Sequence, residues 1–231
     1  NALAGAARHF ERALARDPTA PDAPASAVPF LRTLGRLDTD EELAYREAIV
    51  RCDPVNHAAF YSLGTSQLFA GRFDEATASF RTALSLSPSM GSAHTYLATG
   101  LLLKGDAAGA LAEIEQDTSE IWRMIGRPLA YHALGRRGDC DAALAALIAK
   151  DATGSAYNIA YIYAFRGEAD QAFAWLDKAV EYEDPGLIEI GRQHLFDNIH
   201  SDPRWLPFLR RIGLAPEQLA KIEFSVTIPE E

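Results

Sequence analysis

The chain has 231 residues, 48% of them hydrophobic and 23% charged, with a formal net charge of -10. That composition is ordinary for a folded domain and excludes a disordered or fibrous one. The acidic balance, with Lys and Arg scattered rather than clustered, argues against a phosphate-binding surface, so no nucleic acid contact is expected. No apolar run reaches 18 residues, so no membrane contact is expected of this segment either.

The chain opens without Met, and Asn1-Ala2 is set aside as a possible scar of tag removal. From Ala6 through Phe10 and Ala13 to Pro18 the pattern is that of the second helix of a helix pair whose first helix is missing. The expectation is therefore a segment of a longer protein. Residues 18–29 carry Pro18, Pro21, Pro24 and Pro29 and read as an irregular connector. Residues 30–54 form a degenerate helix pair with Leu34-Gly35, Tyr45, Ala48 and Pro54.

Further along, one unit recurs. Gly71 is followed five residues later by Ala76, Gly105 by Ala110, Gly138 by Ala143 and Gly167 by Ala172; the glycines are 34, 33 and 29 residues apart. A glycine that ends one helix in a left-handed conformation is followed by acidic residues at the start of the next. The alanine falls where two antiparallel helices cross closely. The clearest copy is Phe60, Leu63-Gly64, Gln67, Gly71, Ala76, Phe80, Ala83, Pro88. This order resembles the tetratricopeptide repeat, with Phe60 in place of the usual Trp and Gln67 in place of Tyr. The resemblance covers residues 3–185, as an incomplete repeat 3–18, a degenerate one 30–54, and clearer copies at 56–88, 90–120, 124–150 and 153–185. It implies an all-α, right-handed superhelix of about five helix pairs.

Residues 186–231 are read as a C-terminal helical cap and extended tail. Asp202 is expected as N-cap, Pro203 at the first helical position and Gly213 as the stop, with Trp205, Phe208, Leu209 and Ile212 covering the last repeat. Residues 221–228 alternate apolar and polar, which suits an extended tail lying in the chain's own groove or bridging a homodimer. The stretch 167–176, Asp184-Pro185-Gly186-Leu187 and the Ser201-to-Trp205 segment together resemble the C-terminal tetratricopeptide region of bacterial signalling proteins.

Signatures of chemistry are sparse. The six histidines have no metal-ligand spacing, Cys52 and Cys140 are isolated, and no nucleophile elbow or phosphate loop occurs. Glu113/Glu115 and Glu181/Glu183 read as solvated carboxylates. No catalytic residue, metal or cofactor is expected. In an array of this kind the first helix of each pair lines a concave groove, for which the candidates are Tyr61, Thr65 and Phe69, then Thr95 and Thr99, then His132 and Arg136, then Tyr157, Tyr161 and Phe165. Only His132 and Arg136 are basic, so a clamp for an acidic C-terminus is disfavoured. The expected partner is an apolar or aromatic peptide segment held in side-chain pockets, as the regulatory or interaction portion of a signalling protein. A small-molecule sensor using the same face is the alternative, and a helical hydrolase depending on His132 the weaker one. A cytoplasmic setting is expected, or an extracytoplasmic one if a membrane span precedes the segment.

Overall fold

A computed structural model describes residues 39–222, and all regular structure among them is helical. The incomplete repeat 3–18, the proline-rich connector and residues 223–231 of the alternating tail lie outside the described residues. By internal contacts the chain divides into two units, residues 45–202 and residues 1–44 with 203–231.

Helix α1 (Thr39–Cys52) leads into four helix pairs. These are α2 (His57–Phe69) with α3 (Phe73–Leu86), α4 (Ala93–Leu103) with α5 (Ala107–Ile114), α6 (Glu120–Ala133) with α7 (Arg137–Asp151), and α8 (Ala156–Phe165) with α9 (Ala169–Glu181). Each helix packs chiefly on its pair partner, and the first helices also meet one another in the series α2, α4, α6, α8. That series makes a continuous inner face.

The pairs are closed by the recurring glycine. Gly71, Gly105, Gly135 and Gly167 all have φ between 71 and 88°, a left-handed conformation that costs other residues more. The third of these corrects the frame expected from sequence. Gly135, not Gly138, ends α6, and Gly138 lies in the first turn of α7. The residue five positions after Gly135 is Cys140, which is 1% exposed, and it takes the place that Ala76, Ala110 and Ala172 hold at 0% in the other pairs. Two glycines three residues apart, each followed at +5 by a small residue, made both frames readable in the sequence.

Small residues set the approach of α2 and α3. A Cβ on Gly64 would stand 2.9 Å from the ring of Phe80, which is fully buried. Gln67, at a position where the repeat usually carries an aromatic residue, accepts a 2.7 Å hydrogen bond from the Ser79 hydroxyl across the same pair. Helix starts are capped by Asn56, which accepts from the Ala59 amide, and by Asp106, which accepts from the Gly109 amide. Of the carboxylates expected to be merely solvated, Glu181 and Glu183 are exposed, whereas Glu113 and Glu115 have defined partners. Glu113 lies 2.9 Å from the His94 ring, and Glu115 receives two hydrogen bonds from Arg127.

After α9 the chain forms two short 3₁₀ helices, Pro185–Glu189 and His194–Ile199. The second packs on α8. Ile190, Leu195, Phe196 and Ile199 are all at most 2% exposed, which at about 1.5–3 kcal/mol for each buried side chain makes this return segment part of the core. In the other unit, α10 (Trp205–Ile212) ends at Gly213, φ 80°, as expected. Its start differs, because Arg204 rather than Asp202 is the N-cap and Pro203 precedes the helix. Phe208 and Leu209 are buried and Trp205 is half-buried. Arg210 joins α10 to α11 (Pro216–Leu219) through Glu217 at 2.6 Å.

Ala76→Leu should lower stability by about 1–3 kcal/mol in denaturant melts, because the residue has no free space around it. Ala78→Leu, on the exposed side of the same helix, should stay within about 0.5 kcal/mol. Equal losses at the two positions would contradict the packing described.

Candidate functional site

The inner face made by the first helices is crossed by the return segment 185–200. At one end Phe196 packs against Tyr157 and Tyr161, with ring centroids 5.5 and 6.3 Å away, and the Asn198 side-chain amide donates to the carbonyl of Phe165. At the other, the Arg192 guanidinium lies 4.7 Å from the ring centroid of Phe69, and His194 meets Phe73 edge-on at 5.5 Å. The segment thus spans from the last helix pair back to the first complete one. Gly186 permits the start of this crossing, since a Cβ there would fall 2.4 Å from the Tyr157 ring. Asp184 fixes the turn by accepting from the amides of Tyr157 and Gly186.

Between the return segment and the helices a cavity of about 270 Å³ remains. It draws residues from all four first helices: Phe69 of α2, Thr95, Tyr96 and Thr99 of α4, Trp122 of α6, and Tyr157, Asn158 and Tyr161 of α8. The return segment contributes Asp184, Glu189 and Gln193 among others. Thr95 is held by Asp117, which is 1% exposed and accepts from the Thr95 amide at 3.2 Å and its hydroxyl at 2.9 Å. Tyr161 receives a 2.8 Å hydrogen bond from Asn158. Burial pushes the hydroxyls of Tyr96, Tyr157 and Tyr161 well above the ordinary tyrosine value, so they stay protonated.

Of the ten residues expected to line the groove, five come together here: Phe69, Thr95, Thr99, Tyr157 and Tyr161. The others sit elsewhere. Tyr61 packs edge-on against Phe80 and Tyr96 and hydrogen-bonds Ser92, so it links α2 to α4. The Thr65 hydroxyl donates to the carbonyl of Tyr61 one turn earlier. Arg136 lies over Tyr131 and pairs with Asp139. Phe165, the last residue of α8, meets His132 edge-on at 5.6 Å. Tyr96, Trp122, Asp184 and Glu189 were missed. Tyr96 and Trp122 were one step from the chosen helical frame, and the two acids depend on a chain reversal that has no periodic signal.

A second cavity, of about 330 Å³, is lined by His132, Cys140, Arg166 and Glu168. A histidine beside a thiol invites a nucleophilic reading, but the chemistry runs the other way. Burial raises the Cys140 thiol above its ordinary value, and Arg166 is engaged by Asp141 and Glu168 at 2.7 Å each. The thiol is a protonated core group. Among the described residues no group of three or more His, Cys, Asp or Glu is arranged to hold a metal ion. No described helix is long and apolar enough to cross a membrane.

An inner face built from successive first helices, with side chains from each converging on one cavity, defines a helical-repeat interaction fold. The chain carries tetratricopeptide repeats: residues 61–118 and 153–184 match models of the tetratricopeptide repeat. Residues of the chain are 36% identical over 80 positions to a tetratricopeptide repeat and J domain-containing co-chaperone of Fusarium oxysporum. That match covers 35% of this chain and only 15% of the co-chaperone. Among solved structures, a thermophilic tetratricopeptide-repeat protein of Thermus thermophilus superposes with a TM-score of 0.56 at 22% identity, over 76% of this chain and 98% of that one. A tetratricopeptide repeat protein from Parabacteroides merdae gives 0.55 at 14% identity, over 95% and 91%. Both likenesses are of fold.

Removing the side chain that joins the return segment to α8 tests its place in the core. Phe196→Ala should cost about 3–5 kcal/mol in denaturant melts, as for other fully buried aromatic residues. A loss under about 1 kcal/mol would mean that the segment is only loosely laid on the inner face.

Proposed function

We propose that the chain is a protein–protein interaction module that anchors a partner segment by one side chain placed in the cavity between the inner face and residues 184–195. The observation that carries this is the convergence of all four first helices on that one space. Tetratricopeptide arrays are interaction scaffolds, and the concave side is the face on which such arrays offer most surface. Here the return segment occupies much of it with fully buried residues, so a long extended peptide would have to displace core packing. What is left is the size of a large side chain. It falls below the roughly 300–1,000 Å³ of pockets that enclose drug-sized ligands, which favours a partner's side chain over a free metabolite as occupant.

The resemblance of residues 167–205 to regions of bacterial signalling proteins supports a role as the regulatory or interaction portion of a larger protein. A catalytic role finds no support in the His132 cavity, where the thiol is protonated and the arginine already engaged.

Peptide-display selection on the full chain should yield binders, and Asn158→Trp, which fills the cavity from α8, should weaken them at least about tenfold, or 1.4 kcal/mol. Binders indifferent to that substitution would move the interaction to another surface. Failure to select any would sink the module reading itself.

A further inference from the structure

We infer that the side chain taken by this cavity is a cation, the guanidinium of arginine or the ammonium of lysine, presented by a partner protein. This rests on the anchoring role proposed above and adds the chemistry of the occupant. The groove residues legible in the sequence are mainly aromatic and hydroxylic, which by themselves point to an apolar or aromatic segment. The return segment changes the balance by bringing two carboxylates, Asp184 and Glu189, to the same wall.

The walls suit a cation in two ways. Tyr96 and Trp122 stand 5.9 Å apart at 58°, and Tyr157 and Tyr161 stand 5.7 Å apart at 88°. Rings set at such angles offer both faces and edges to a bound group, and the faces carry the negative part of the quadrupole. No Lys, Arg or His is among the described residues that line the cavity, and its charged lining residues are Asp184 and Glu189. Tyr157 also carries a buried hydroxyl with no hydrogen-bond partner among the described residues. The protonated state of the tyrosines leaves the carboxylates as the anionic groups.

The molecule already shows this chemistry at the cavity's edge. Arg192 rests its guanidinium on Phe69 and reaches Glu189 at 3.3 Å. One ring and one carboxylate of the lining are thus partnered by an internal cation. Tyr96, Trp122, Tyr157, Tyr161 and Asp184 present the same combination with no Lys, Arg or His in the lining beside them. A chain carrying a net charge of -10 further favours encounter with a basic partner.

The test uses the full chain and four probes: acetyl-Gly-Gly-Arg-Gly-Gly-amide, its Lys and norleucine counterparts, and free arginine amide. Binding is read from the indole N–H resonance of Trp122, assigned with Trp122→Phe. The Arg and Lys peptides should shift it saturably, with the norleucine peptide at least about tenfold weaker. Glu189→Gln should weaken the Arg peptide about fivefold while leaving norleucine unchanged, and raising salt should weaken only the charged probes. A melt of Glu189→Gln matching the parent would show that the change is local. Norleucine binding as tightly as arginine would overturn the cation inference and leave an apolar anchoring pocket, so the module reading would survive. Free arginine amide binding as tightly as the peptide would overturn the partner side chain in favour of a small ligand. No shift with any probe would remove the cation inference, and display-selected peptides would then decide the module reading separately.

Discussion

Close approach of antiparallel helices is the constraint on which the array depends. In every complete pair a left-handed glycine turns the chain, and five residues later a side chain of three heavy atoms or fewer beyond the backbone sits with almost no exposure: Ala76, Ala110, Cys140, Ala172. The turn and the small residue act together. The glycine sets the direction in which the second helix leaves, and the small residue sets how near it returns. With the backbones held close, larger residues such as Phe80 and Leu176 fill the space beside the crossing, and the first helices are left aligned to share one face. Everything on the inner face follows from that alignment.

The inner face then meets a second demand. Its aromatic residues would present apolar surface to water if left uncovered. The return segment covers part of it with Phe196 and Leu195, as two short 3₁₀ helices between α8 and the Phe69 and Phe73 side. The polar atoms of such a turn need partners, and Asp184, Gln193 and Asn198 supply them by bonding the backbone of the array or of the segment itself. A site appears as the space these two layers leave between them. Its acidity has a structural origin, since Asp184 is there to hold the turn.

The sequence made the helix pairs legible because their signals are local: a glycine, a small residue at fixed distance, and a Pro or acidic residue at the boundary. It misled at Gly138, where a second glycine with its own small residue at +5 offered a rival frame, and only packing distinguishes Cys140 from Ala143. Half of the expected groove residues meet at the cavity because the helical frame identifies which face of α4 and α8 looks inward. The remainder of the site was hidden for a different reason. Residues 185–199 have neither the 3.6-residue nor the two-residue period, so nothing in their pattern says that they cross the face. His194 and Arg192 find partners more than a hundred residues away, and Asn198 one that is 33 residues away, which no short-range motif records.

The alanine-like use of Cys140 has a consequence for observing how the array opens. Cys52 is exposed and Cys140 is sealed at a helix crossing, so the two thiols report on different events. A thiol reagent meets Cys52 at the rate of an open surface, whereas Cys140, 1% exposed and covered by Arg166 at the wall of the second cavity, is reached only when that packing opens. The slower of the two labelling rates is therefore an internal clock for local opening around Cys140, one that requires no introduced cysteine and leaves the inner face untouched.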